Sequence, residues 1–132
     1  MNNIIDQLLK IDLGEIEIPK TTKKMYLKKL KQEVEFECIA LDAEKSSEIQ
    51  MKAMEVKNGE INEIDMFKLK AYTVIEGCKD VFKNKDLMKH FKTPVPLELL
   101  RKLLLDGELT ELYNTINNLS SYQETQENEI KN

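Results

Sequence analysis

The sequence has few of the residues on which catalysis, metal binding and cofactor binding most often depend. It contains one histidine, no tryptophan and four widely spaced glycines, and aromatic residues make up only 6%. A histidine-based triad therefore lacks its parts, and there is no Gly-rich loop to hold a phosphate. His90, in the partly apolar stretch LMKHF, is interpreted as a half-buried surface residue. We expect no enzyme, no metal site and no cofactor.

Cysteines and long apolar runs are also scarce. Cys38 and Cys78 follow no C-x-x-C or metal-ligand spacing, which favours reduced, buried thiols over a disulfide or a metal site. No apolar run approaches the ~20 residues of a membrane span. The first residues, MNNIIDQLLKID, lack the basic region and the cleavage site of a secretion signal. The sequence predicts a cytoplasmic protein that does not bind a membrane.

Charge is abundant but unevenly placed. The formal net charge is −4, yet the stretch Lys20–Lys31 carries six lysines and no acid. These lysines are open to three interpretations: protection of an exposed strand edge, an acidic protein partner, or nucleic acid contacted by Lys23, Lys24, Lys28 and Lys29. We expect no nucleic acid, because the chain has a single arginine and base readout usually relies on arginine and aromatic stacking.

The first forty residues indicate one helix and a small sheet. Residues 1–12 predict a short helix with its aliphatic residues on one side, capped by Asn2 or Asn3 and ended by Gly14. The alternation in residues 15–18 predicts a short edge strand before Pro19. Residues 25–30 are a weaker strand candidate, and residues 34–41 are the clearest one.

From Asp42 onward the apolar period changes to that of a helix. Asp42 or Ser47 is expected to cap a helix that continues to Val56, and residues 57–59 to stop it. Asn62 is expected to cap the next helix, with Gly77 as its C-cap. A short helix is predicted at residues 86–91.

The most apolar part of the chain is residues 93–122, which predict two helices. Pro94 and Pro96 open the first, and Glu98 suits its first turn. Asp106-Gly107 is expected to break the run, and the second helix to end near residues 117–118. The predicted fold is α+β: a small N-terminal antiparallel sheet of two or three strands followed by about five short helices. We expect a single domain over residues 1–122 and a disordered polar tail over residues 123–132.

Three stripes are candidates for binding another protein: the N-terminal helix, the lysine-rich edge and the C-terminal leucine helices. The alternative is that all three simply fill the core, and core filling is favoured for most of the leucines and for the methionines. The candidate partner-binding residues are Ile4, Ile5, Leu8, Leu9, Lys24, Lys28, Met51, Met54, Leu109, Leu112, Tyr113 and Ile116.

The order and spacing of several short pieces resemble a known family. These pieces are Ile18-Pro19-Lys20, FECIALD at residues 36–42, VIEGCKD at residues 74–80, residues 94–108 and NLSSY at residues 118–122. Together they resemble the XkdN-like tail assembly chaperones of phages, prophages and phage-tail-like bacteriocins of Gram-positive bacteria.

The resemblance implies a non-enzymatic chaperone in the bacterial host cytoplasm. Such proteins hold the tape-measure protein soluble until tail-tube subunits assemble around it, and they are absent from the mature particle. The tail-tube protein and a second copy of the chain are further possible partners. A small DNA-binding regulator and a minor structural tail protein are the alternatives.

Overall fold

The computed structural model describes residues 3–57 and 59–120, beginning with an exposed N-terminal segment. This segment contains helix α1 (Ile4–Leu9) and a 3-10 helix (Leu13–Glu15), followed by an extended stretch. Asn3 caps α1, because its side-chain oxygen accepts the Asp6 N–H at 2.8 Å. The predicted N-terminal helix and its Asn3 cap are confirmed, although the helix ends before Gly14.

The predicted edge strand at residues 15–18 is wrong. Glu15 belongs to the 3-10 helix, and residues 16–18 pair with no strand in the described part of the chain. An apolar–polar alternation with a period of two predicts which side chains share a face. A strand also needs an adjacent strand to hydrogen-bond its backbone N–H and C=O groups. Pairing starts only at Pro19, whose carbonyl accepts the Ala40 N–H at 2.9 Å.

The first sheet is an antiparallel hairpin of β1 (Lys20–Leu27) and β2 (Gln32–Ile39). Its register runs from Lys20 opposite Ile39 to Leu27 opposite Gln32, and Lys31 in the turn has a positive φ of 56°. The clearest predicted strand is confirmed. The weaker candidate at residues 25–30 is only partly correct, because β1 begins at residue 20 and ends at residue 27.

A second hairpin stands where the sequence predicted only helix and loop. Helix α2 (Ala43–Ala53) is followed by β3 (Met54–Lys57) and β4 (Glu60–Ile64), and Gly59 between these strands has a φ of 81°. Asp42 caps α2 as predicted, accepting the Lys45 N–H at 2.8 Å. The predictions that this helix reaches Val56 and that Asn62 caps the next one are wrong.

Five helices complete the described chain. They are α3 (Met66–Gly77), α4 (Lys79–Phe82), α5 (Lys85–His90), α6 (Pro96–Leu103) and α7 (Asp106–Leu119). Asp65 caps α3, and α6 begins at a proline as predicted. Gly107 does not break the leucine-rich run: it lies in the first turn of α7, and the extended residues Leu104 and Leu105 separate the two helices.

The core lies between the inner face of the first hairpin and helices α3, α6 and α7. Alternation along β1 and β2 directs Met25, Leu27, Phe36 and Cys38 inward, where Phe36 stacks on Phe82 with ring centroids 5.9 Å apart. The helices cover these residues with Ala71, Val74, Ile75, Cys78, Leu99, Leu100, Leu103, Leu104, Leu109, Leu112 and Ile116. The core is therefore mostly aliphatic, with one stacked pair of phenylalanines.

Helix α7 crosses the middle of this arrangement and is bonded to the sheet region at both ends. At its start, the Glu108 carboxylate accepts the Lys28 N–H at 3.0 Å and the Leu105 N–H at 2.8 Å. At its end, the Ser120 hydroxyl accepts the Leu41 N–H at 2.9 Å and donates to the Ile116 carbonyl at 2.8 Å. These polar contacts hold α7 against the hairpin and the β2–α2 connection.

The predicted α+β class, a small N-terminal sheet with helices after it, is confirmed. The predicted disordered tail, residues 123–132, lies outside the described residues. Of the helices in the described part of the chain, none combines the length and the apolar character that crossing a membrane requires.

Candidate functional site

Exposed apolar residues are concentrated at the N-terminus. We call residues 3–18 the arm; the structure describes all of them, and every one is exposed. Eight aliphatic side chains of the arm are 49–85% exposed: Ile4, Ile5, Leu8, Leu9, Ile11, Leu13, Ile16 and Ile18. These eight are more than half of the fifteen large apolar residues that are exposed in the described part of the chain.

This concentration of exposed apolar residues in one short segment points to an interaction site, because apolar residues on the surface of a monomer are usually scattered singly. The local sequence explains why the arm folds without packing on the core. Asn3 caps α1 through its side chain, and Glu15 accepts the Asp12 N–H at 2.7 Å, so short-range hydrogen bonds shape both helical turns. The arm is an element with its own local structure whose apolar side chains face outward.

We call the described residues from 19 to 120 the body. A shallow groove lies where the arm joins the body. Its volume is about 380 Å³, and its apolar walls are Ile16, Ile18 and Pro19 on one side and Ile39, Ala40 and Leu41 on the other. Lys45 and Glu76 lie at its edge, where the Lys45 ammonium is 3.1 Å from Glu48 and 4.0 Å from Glu76. The hydrogen bond to Glu48, with the charge of Glu76, raises the pKa of Lys45. Glu17, Asp42 and Lys79 also line the groove, so its apolar floor has a charged rim.

The lysine-rich edge is less positive in the fold than it is in the sequence. The register places Lys24 opposite Glu35, with 3.9 Å between their charged groups, and Tyr26 opposite Glu33. Lys23 lies 4.0 Å from Glu111. A phosphate backbone approaching this face would therefore meet carboxylates beside the lysines, and nothing in this geometry favours nucleic acid.

Of the predicted partner-binding residues, those of the N-terminal helix and the lysine edge are on the surface. Ile4, Ile5, Leu8 and Leu9 are 56–78% exposed, and Lys24 and Lys28 are exposed as well. Met51 on α2 is 64% exposed, whereas Met54 and Tyr113 are half-buried. The structure does not bring Met51 and the arm together into one described groove.

Three predicted residues of α7 belong to the core. Leu109, Leu112 and Ile116 are at most 4% exposed. Their i, i+3, i+7 spacing describes the face that α7 turns to the hairpin and α3, so they offer no surface to a partner in this fold. The sequence favoured core filling for most leucines of the C-terminal helices, and the structure places these three residues in the core.

Sequence reasoning missed half of the arm surface. Ile16 and Ile18 were assigned to an edge strand, and Ile11 and Leu13 to no surface at all, yet these four residues are 49–85% exposed. One signal was present: Gly14 and Pro19 enclose only four residues, which is short for a helix or a strand. A segment that forms neither element cannot bury its aliphatic residues within regular structure.

The two cysteines are buried next to each other. Their Sγ atoms are 3.6 Å apart, and both are free thiols, with at most 1% of either side chain exposed. The contact with Cys38, together with burial, raises the pKa of the Cys78 thiol, so this thiol stays protonated at neutral pH. The predicted buried position of both cysteines is confirmed, and a protonated thiol in the core is a poor nucleophile.

The remaining candidates for catalysis or metal binding in the described residues are His90 and groups of possible metal ligands. His90 is exposed and meets the edge of the Phe91 ring at 4.8 Å between centroids, rather than being half-buried as predicted. Among the described residues, no three His, Cys, Asp or Glu side chains are arranged to hold a metal ion. The described residues thus form a packed α+β body preceded by an exposed, apolar N-terminal arm.

The comparisons with known proteins identify the family. The family model for the phage XkdN-like tail assembly chaperone protein matches residues 5–132, nearly the whole chain. The chain therefore belongs to the XkdN-like family of phage tail assembly chaperones, a non-catalytic kind of protein, and the predicted resemblance is confirmed. No curated protein matches the chain.

One solved structure shares the fold. The crystal structure of the protein YqbN is similar with a TM-score of 0.57 and 20% sequence identity, covering 82% of this chain and 89% of that chain. At this identity the similarity concerns the fold alone.

Proposed function

We propose that this chain holds the tape-measure protein soluble in the bacterial host cytoplasm while a phage tail or tail-like particle assembles. Family membership supports the general role. The observation that carries the specific role is the arm, because eight exposed aliphatic residues on one short segment leave a large apolar surface uncovered. A client that would otherwise aggregate through its own apolar stripes is the kind of partner that such a surface suits.

Holding must be temporary for assembly to proceed. In the proposed sequence of events, tail-tube subunits polymerise around the client and displace the chaperone, which is absent from the mature particle. Many weakly bound copies along one client suit this role, because multivalent contacts give high total affinity while each copy still dissociates readily. The arm, a single short segment that can bind and release without unfolding the core, fits such weak contacts.

Co-expression tests the proposal. The tape-measure protein from the same gene cluster is produced with this chain, alone, and with an unrelated small acidic protein expressed at the same level. We expect a several-fold larger soluble fraction of the tape-measure protein only with this chain. An equal soluble fraction in all three cultures would overturn the holding role.

A second measurement tests release. Purified particles are digested and their proteins counted by mass spectrometry against the tube subunit. The chain should be present at far less than one copy per tube ring. A stoichiometric amount in washed particles would instead make it a structural tail component.

A further inference from the structure

The charge on the arm restricts what can bind there. Residues 3–18 contain four carboxylates (Asp6, Asp12, Glu15 and Glu17) and one lysine (Lys10), which gives a net charge of −3. The whole chain carries −4, so this short segment holds most of the net charge. The carboxylates alternate with Ile16 and Ile18 in the extended part of the arm, and Asp6 lies on α1 beside its aliphatic side. Any partner that covers the aliphatic residues must therefore approach several carboxylates.

This charge disfavours a second copy of the chain as the occupant. Two arms packed on each other would bring a charge of −6 into one interface, and like charges in contact oppose association. The lysine-rich hairpin of another copy is a less open match, because two of its six lysines already lie near carboxylates: Lys23 is 4.0 Å from Glu111 and Lys24 is 3.9 Å from Glu35.

We propose that the arm binds amphipathic helical segments that carry lysine or arginine beside their apolar stripe. This deepens the proposed function, on which it rests, by naming the binding element and the chemistry of the client segment. Ile4, Ile5, Leu8 and Leu9 lie at i, i+1, i+4 and i+5 and form one side of α1, a row that can pack along an apolar helix. The flanking carboxylates then pair with basic residues of the client and raise the association rate.

Peptide binding tests this inference directly. Two fluorescent amphipathic helical peptides of equal length share one leucine stripe but carry lysine or glutamate on the polar face. We expect the full-length protein to bind the lysine peptide about tenfold more tightly than the glutamate peptide at low salt, and the ratio to fall as salt is raised. Equal affinity for the two peptides would overturn the inference.

Three variants assign the binding to the arm. D6K/E17K reverses two arm charges without touching the caps formed by Asn3 and Glu15, and it should reduce or invert the peptide preference. E33K/E63K makes the same change in net charge at exposed positions outside the arm and should keep the preference. I5S/L9S keeps every charge but removes exposed apolar surface, and it should lower the affinity for both peptides several-fold.

The outcomes separate this inference from the proposed function. If D6K/E17K and E33K/E63K show the same preference for the lysine peptide, the arm is not the charged site and the inference fails. The co-expression result still decides the holding role in that case. If the wild-type chain leaves the tape-measure protein insoluble, the proposed function fails whatever the peptides do. Light scattering adds a further outcome. Suppose the wild-type chain forms oligomers that are absent in I5S/L9S but persist when the lysine peptide is added. The arm would then be a contact between copies, and the inference would be overturned.

Discussion

Gly77 shows how a single residue sets the spacing of two helices. It is the last residue of α3, and a Cβ atom placed on it would lie 2.7 Å from Cγ1 of Ile116 and closer still to Cδ1. Both residues are buried, so the side chain of Ile116 has little room to move away. The predicted helix end near Gly77 is correct, but Gly77 is the last helical residue and Cys78 is the C-cap, so the predicted C-cap is wrong by one residue. Only the three-dimensional structure reveals the close approach.

The first prediction concerns this contact. Gly77→Ala should lower the free energy of unfolding by about 1–3 kcal/mol, because it overpacks a filled core. Chemical denaturation followed by circular dichroism measures the change. Gly107→Ala is the matched control: no atom lies within 4 Å of its added Cβ, and it should be neutral or stabilising, by up to about 1 kcal/mol, within the first turn of α7.

A double variant makes the test specific. Ile116→Val removes the nearest atom, Cδ1. It should therefore lower the free energy of unfolding by less in the Gly77→Ala background than in the wild type. Equal costs in both backgrounds would show that the two side chains do not compete for space.

At the scale of elements, the sequence predicts helix caps and helix starts well, because local chemistry determines them. It predicts strand pairing poorly, because pairing depends on residues outside the strand. Asn3 and Asp42 cap their helices as expected, and a proline opens α6, because each device acts within one turn. The β3–β4 hairpin was missed, since its short strands follow α2 without a break in apolar spacing. Its Gly59 was taken as a helix stop, whereas its positive φ belongs to the turn of a hairpin.

The second prediction concerns the contact between helix α7 and the first hairpin. Glu108 is 8% exposed and accepts two backbone N–H groups, from Leu105 and Lys28. Glu108→Ala leaves both donors without this acceptor and should cost about 2 kcal/mol of unfolding free energy, since buried hydrogen bonds to a charged group are among the stronger ones. Thermal and denaturant unfolding both report it.

Glu111 on the same helix is the control. It is exposed, and its ion pair with Lys23 spans 4.0 Å. Glu111→Ala should change the stability by at most about 0.5 kcal/mol, because exposed ion pairs contribute little. If both substitutions cost the same, the hydrogen bonds of Glu108 are not what holds the start of α7.

For the molecule as a whole, the body and the arm follow different rules. The body buries its leucines as an amphipathic pattern requires, and the sequence identifies much of the core for that reason. The arm carries an equally apolar pattern, and the sequence alone does not distinguish a stripe that packs inward from one that stays uncovered. The difference lies in whether another element of the same chain lies within reach.

The third prediction separates the two parts. Removing residues 1–14 should leave the unfolding free energy of the body within about 0.5 kcal/mol of the full chain, since surface changes away from packed features rarely cost more. The same truncation should abolish the solubilising effect on the tape-measure protein. A truncated chain that unfolds much more easily would place the arm among the structural elements instead.

The most direct test of the account is to find which part of the chain touches the client. A photo-reactive benzoylphenylalanine is placed at Leu8 in the arm or at Tyr26 on the first hairpin, two exposed positions with 56% and 57% of the side chain accessible. Cells that also make the tape-measure protein are then irradiated. The account predicts a cross-link to the tape-measure protein from position 8 and little from position 26. Cross-linking from position 26 with none from position 8 would contradict it.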